Sequence, residues 1–408
     1  MIRLTRLPEE VARVLAALKP YFSYRHYWVF CWLWVAPWVC FGKAPGHGLA
    51  RDTPTHVASW HLRRLLAAGH WQWTLVLEWL VSEALAALPP PKDGVLYLVV
   101  DRTLKGKRGK QNPLAKKGRL KEYAPYTLGL PVVIGIAQWE VYRIPLGFRL
   151  VKPKESQDYQ SENALVRERL GAVILPAWGK QVVVVAAAAY PSRANRQAIQ
   201  ARGWFFVIAF PRTGKLANDQ HLREVVTPLP LPRYRQVRVP LVVPTARRRV
   251  FWTFAKPARL ADGGEVTVVL SRRRRNDSPP HTQLLVPNLP PAPAALTVAL
   301  SLRRWPVALC IKELKRVVGL GQPQVTKDPA RVERSVAVAG MASLLLLRLR
   351  AKQSKPGSSW SALTLKQELA WEWGMTQLHR TVRQETRKEI HRHQTAQPPP
   401  LRLAAYQL

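Results

Sequence analysis

The chain is 408 residues long and 47% hydrophobic, which excludes a disordered or low-complexity protein and leaves room for two or three structural units around a sizeable core. Its 63 Lys and Arg outnumber 25 Asp and Glu, a formal net charge of +38, far more than solubility needs, so a polyanionic partner is implied. The cations run through the whole length instead of gathering on one amphipathic helix or tail, which favours nucleic acid and argues against a membrane surface.

Residues 1–90 are expected to form a helical, DNA-binding domain. A helix start at Pro8-Glu9-Glu10 precedes apolar residues at Val11, Val14, Leu15 and Leu18. The run from Tyr27 to Phe41 is strongly apolar, but it is shorter than the roughly 20 residues a bilayer requires and Pro37 interrupts it, so a buried core helix is expected. Trp28, Trp32, Trp34 and Trp38 recur in it at near-helical spacing, which indicates packing above base stacking. The apolar run starts late and no small-residue cleavage site follows it cleanly, so cytoplasmic residence is expected. Cys31, Cys40 and Cys310 are odd in number and lack CxxC spacing; they are read as buried thiols, not as a disulfide framework or a zinc site.

Pro89 to Gly94 breaks the helical pattern and marks the clearest boundary. From Val95 onward, short β-branched runs predict strands over 130–137, 142–151, 182–185 and 205–210, with helices over 161–171 and 192–202. Hairpin-linked strands followed by strand-helix-strand units make an α/β core with a mixed sheet over residues 95–350. Further strands over 234–243, 248–254 and 265–271 predict a β-rich insertion at about 230–300. Helices return over 304–318 and 330–350, and residues 351–408 are expected to form a C-terminal helical tail.

Two apolar strands end in different ways. The run 95–100 delivers Asp101; the run 181–190 reaches the equivalent place with Ala187. Asp101 followed by Thr103, the strand ending near Ala187 with Tyr190 after it, and the block from Arg304 through Ala308 to Lys315 together resemble bacterial insertion-sequence transposases with a ribonuclease H-like DDE domain. That family's last block reads Tyr, two residues, Arg, three, Glu, six, Lys. Here the spacing gives Ser301, Arg304, Ala308 and Lys315, so Arg and Lys match while Tyr and the catalytic Glu do not. Segments 105–110, 142–149 and 271–277 share the resemblance, which covers most of residues 95–350. An alignment placing the family acid at position 102 would put Arg102 there; the Asp-x-Thr spacing favours Asp101.

The resemblance implies cut-and-paste DNA transposition, double-stranded DNA with terminal inverted repeats as partner, a homodimer on DNA, a bacterial nucleoid-associated location, and magnesium as cofactor. It also implies a site made of Asp101, Ala187 and Ala308, flanked by Arg304 and Lys315. Such chemistry uses carboxylates because divalent ions must clamp the attacking and leaving oxygens of an in-line displacement at phosphorus, and Mg²⁺ demands hard oxygen ligands. Alanine has none, so Asp101 would be the one metal ligand left and metal binding is expected to be weak. Glu313 lies five positions beyond Ala308 in sequence and would be rotated roughly 140° away on a helix, so it is a poor substitute. The further departures Ser301 and Pro306 lean towards natural decay of the site over deliberate inactivation.

Lys105, Lys107, Arg108, Lys110, Lys116, Lys117 and Arg119 form a Gly-containing basic segment after the first strand, where DNA phosphates are expected. Arg272, Arg273, Arg274 and Arg275 are expected to position phosphate without reading bases. The leading expectation is therefore a catalytically impaired transposase-family protein. A non-catalytic DNA-binding protein derived from a transposase is the alternative, and an RNA-binding protein selected for charge is a distant third.

Overall fold

The computed structural model describes residues 9–39, 59–68, 71–106, 112, 114–120, 124–222, 224, 231–240, 248–262, 264–277, 281–289, 293–320, 328–353 and 362–395. Among the described residues four α-helices come first: α1 (Glu9–Leu18), α2 (Tyr24–Val39), α3 (Ser59–Ala68) and α4 (Trp73–Ala87). Glu9 and Glu10 sit in the first turn of α1, where the helix dipole favours anions, and its stripe of Val11, Val14, Leu15 and Leu18 is buried. Phe30 and Trp34 of α2 are fully buried, and Phe22 stacks on Phe30 at 4.4 Å and on Trp71 at 5.3 Å, so this apolar run is a core helix. Cys31 and Cys310 are buried thiols, while Cys40 lies outside the described residues.

The centre of the fold is one ten-stranded mixed sheet. Its strands are β1 (Val95–Gly106), β2 (Lys116–Leu120), β3 (Ala124–Trp139), β4 (Tyr142–Leu150), β5 (Gln181–Ala186), β6 (Phe205–Ala209), β7 (Arg235–Pro240), β8 (Arg248–Arg259), β9 (Glu265–Arg272) and β10 (Gln283–Pro287). They run in the order β2-β3-β1-β5-β6-β10-β9-β8-β7, with β4 also paired to β3. β3 lies antiparallel to both β1 and β4, whereas β1, β5 and β6 are parallel. The uninterrupted Val182 to Val185 run suits β5, a central parallel strand covered on both faces. The segment expected as a β-rich insertion continues the same sheet: β10 pairs with β6 on one side and β9 on the other.

Helix α5 (Glu162–Gly171) precedes β5 and α6 (Arg193–Gln200) follows it. Each starts at a serine whose hydroxyl accepts a backbone N–H, Ser161 from Ala164 at 3.2 Å and Ser192 from Asn195 at 3.3 Å. The last helices are α7 (Ala294–Leu302), α8 (Trp305–Arg316), α9 (Pro329–Gln353) and α10 (Ala362–Thr395). Among the described residues one helical stretch, 294–316, is long and apolar enough to cross a membrane; the turn at Arg303 and Arg304 divides it into α7 and α8.

Helix α9 joins the N-terminal helices to the sheet. It packs on α4, α2 and β4, and Gly340 allows the approach, since a Cβ there would meet Phe148 Cε2 at 2.3 Å. Arg348 on α9 lies buried between two carboxylates, pairing with Glu10 of α1 and, at 3.2 Å, with Glu83 of α4. Arg13 closes the cluster on Glu10 at 2.9 Å.

Candidate functional site

Strands β1 and β5 lie parallel with Val100 opposite Ala186 as their last pair, and Asp101 and Ala187 are the residues that follow it on each chain segment. Asp101 is about three-quarters buried. Its Oδ1 accepts the Arg102 backbone N–H at 2.8 Å, and its Oδ2 lies 3.5 Å from Arg304 Nη1. That contact brings the start of α8 to the end of the parallel pair. Arg304 caps α8 with αR backbone angles, and Pro306 sits in the first turn, where its missing N–H has no helical partner to lose.

Ala308 stands one helical turn after Arg304 and is exposed, while Val307, Cys310 and Leu314 bury the other side of α8. Lys315 follows two turns after Ala308 and is half-buried. Ser301 stands before the turn, in α7; it is buried and donates its hydroxyl to the Val298 carbonyl at 2.8 Å. Glu313 is half-buried near Cys310, whose thiol is pushed up to about 12, first by burial and then by that carboxylate.

Arg102 and Tyr190 also join the site, and the carboxylate that partners Arg102 gave no signal in sequence spacing. Arg102 pairs with Glu162 of α5 at 2.9 Å, across sixty residues of chain. Tyr190 packs fully buried behind them, after a turn in which its N–H meets the Ala187 carbonyl at 3.1 Å. Burial holds the Tyr190 phenol well above its ordinary range; the carboxylates of Glu162 and Asp101 raise it further and Arg102 opposes them. The phenol therefore remains protonated at any physiological pH.

These residues do not make a magnesium site. Asp101 faces a guanidinium, and neither Ala187 nor Ala308 offers a side-chain oxygen. Among the described residues no three His, Cys, Asp or Glu side chains converge.

No family model matches the chain, and no curated protein matches it. Among solved structures, the chain is similar to a piggyBac transposase in a synaptic complex with hairpin DNA, seen by cryo-EM, with 10% identity, coverage of 89% of this chain and 77% of that one, and a TM-score of 0.47.

The basic candidates separate by burial. Lys105 is 1% exposed and donates to Ser335 on α9 at 3.1 Å, so the expectation that it meets phosphate is corrected: its ammonium is spent inside the fold. Arg272 is corrected for the same reason. It is 4% exposed, bonds Thr282 at 2.8 Å and lies over the Tyr234 ring at 4.2 Å. Arg273, Arg274 and Arg275 are exposed on the following turn, where Asp277 accepts the backbone N–H groups of Arg273 and Arg274 at 3.0 and 2.9 Å. Arg275 stacks over Trp252 at 5.3 Å. Lys116 is exposed at the start of β2. Lys107, Arg108 and Lys110 lie outside the described residues, as do the side chains of Lys117 and Arg119.

Proposed function

We propose that the chain is a transposase-derived protein that binds double-stranded DNA, with terminal inverted repeats of a mobile element as its target, and that it has lost most of its capacity for strand cleavage and transfer. The observation that carries this is the meeting of Asp101, Ala187 and Arg304, with Ala308 one turn further along α8. Two neighbouring strand positions and a facing helix converge there, the arrangement a ribonuclease H-like nuclease needs for its acids. The order β4-β3-β1-β5-β6, antiparallel and then parallel, supports a ribonuclease H-like core.

Cleavage in this class is an in-line displacement at phosphorus: water attacks, the P–O bond to the 3′ oxygen breaks, and a 3′ hydroxyl is released. Metal ions supply charge stabilisation at both oxygens. One carboxylate already matched by Arg304 holds such ions poorly, so binding through the +38 surface outlives catalysis.

Nicking of duplex DNA carrying the element's own ends, with Mg²⁺ or Mn²⁺, tests the proposal. The parent should bind and cleave little. Ala187→Asp combined with Ala308→Glu should restore partial cleavage, and each change alone much less, because the ligands act as a unit. Robust cleavage by the parent that is abolished by Glu313→Gln would overturn the assignment, and a double variant that binds DNA yet stays inert counts against it.

A further inference from the structure

We infer that the outer half of α10 is a phosphate-tracking arm that lies against duplex DNA; the inference rests on the DNA-binding function proposed above. The root of this helix is anchored: Leu365, Lys366 and Ala370 are buried, and Lys366 donates to the Val317 carbonyl at 2.8 Å. Its outer part is not. Every residue from Val382 to Glu389 is exposed, as is His391, over roughly 15 Å of helix.

A helix exposed on all sides gains nothing from packing, and a piece of this length is marginal by itself in water. Its charge makes that worse. Arg383 and Arg387 stand at i,i+4 on one face, and His391 continues the stripe; like charges at this spacing weaken a helix. Among the described side chains of this stretch Lys388 pairs with Glu385 at 2.8 Å, and neither Arg383 nor Arg387 pairs with a described carboxylate. Over 380–395 the sequence carries five Arg and Lys against two Glu.

A polyanion answers this arrangement and a second copy of the chain does not. Val382 and Ile390 are the two aliphatic residues of 380–395, and they are too few and too far apart to form the a/d seam of a helix pair. Arginines one turn apart along a straight rod match a phosphate backbone, and phosphate oxygens would supply the countercharge that the fold withholds.

The test uses the full chain and its Arg383→Gln/Arg387→Gln variant. Glutamine keeps helix propensity while removing charge, so matched far-ultraviolet circular dichroism should show an intact fold. Affinity for a random-sequence duplex is measured across a salt series, together with hydrogen exchange of the 383–391 amides with and without DNA. The variant should bind more weakly, with a log-affinity slope shallower by about 2, near 0.9 for each lost phosphate contact, and the parent's amides in this stretch should slow on DNA binding. Equal slopes for parent and variant, or amides that exchange equally fast with DNA, overturn the inference while leaving DNA binding intact. Equal slopes with a loss of dimer mass in the variant would mean that the helix docks on a second copy. A parent that binds no duplex at all would instead overturn the DNA-binding function itself.

Discussion

Two arginine–carboxylate contacts join distant parts of this chain, and they differ in nearly everything except chemistry. Arg348 meets Glu10 at 3% and 5% exposure, tying the last core helix to the first helix of the chain. Arg304 meets Asp101 at 3.5 Å with 41% and 24% exposure. The first pair is shut away from water, so losing Arg348 leaves buried Glu10 to the mostly exposed Arg13, and losing Glu10 leaves buried Arg348 to Glu83; the second sits at a solvent-reached strand end, where water can replace either partner. Burial, more than the identity of the paired groups, separates a contact that holds the fold from one that a phosphate can displace.

The contrast predicts unequal losses. Arg348→Ala should destabilise by about 3–5 kcal/mol, because Glu10 and Glu83 lose their shared countercharge within the helical layer. Arg348→Met, which keeps the volume, should cost the same or less, and urea unfolding of both variants reads the difference. A loss below about 1 kcal/mol for Arg348→Ala would break the comparison at its stronger side.

Arg304→Gln should change stability by less than about 1 kcal/mol, in keeping with a partly exposed pair. Its effect belongs to the site: Asp101 loses its nearest countercharge, and in the Ala187→Asp/Ala308→Glu background a divalent ion no longer competes with the guanidinium. Mn²⁺ binding by that triple variant, followed by calorimetry, should be tighter than by the double variant. Equal affinity would show that Arg304 does not compete for Asp101.

Most of the sheet was legible because its apolar strands carry their own signal, while the basic β2 and the short β10 were not expected. Val182 to Val185 predict a two-sided buried strand, and Ser161 and Ser192 predict the two helix starts beside it. Asp101 and Ala187 could be paired from their places at the ends of such runs. The fate of individual cations was not legible. Lys105 and Arg272 look like their exposed neighbours in sequence, and only contacts from Ser335, 230 residues away, and from Thr282 and Tyr234 take them inside. Arg102 with Glu162 is the same kind of long-range pairing. The helix start at Arg304 was legible, whereas the helix before it, α7, was not expected; the turn between the two lets Arg304 reach Asp101.

Glu333 supplies a third case between the two contacts, a half-buried carboxylate on α9 with no direct ion-pair partner among the described residues. Burial raises its pKa above the ordinary glutamate value; Lys152 and Arg149 pull it down, Asp158 and Glu168 push it up, and the net shift is upward. The folded state therefore holds this proton more tightly than the unfolded chain does. Stability falls as pH rises from the unfolded pKa to the folded one, and the penalty is complete above it. Glu333→Gln removes that penalty. At neutral pH the variant should be more stable than the parent, by about 1 kcal/mol or less for a group this exposed, and the two should converge as pH falls below about 4. Urea midpoints at both pH values measure it. A variant less stable at neutral pH would show that Glu333 has a countercharge after all and belongs with Glu10, not between the two contacts.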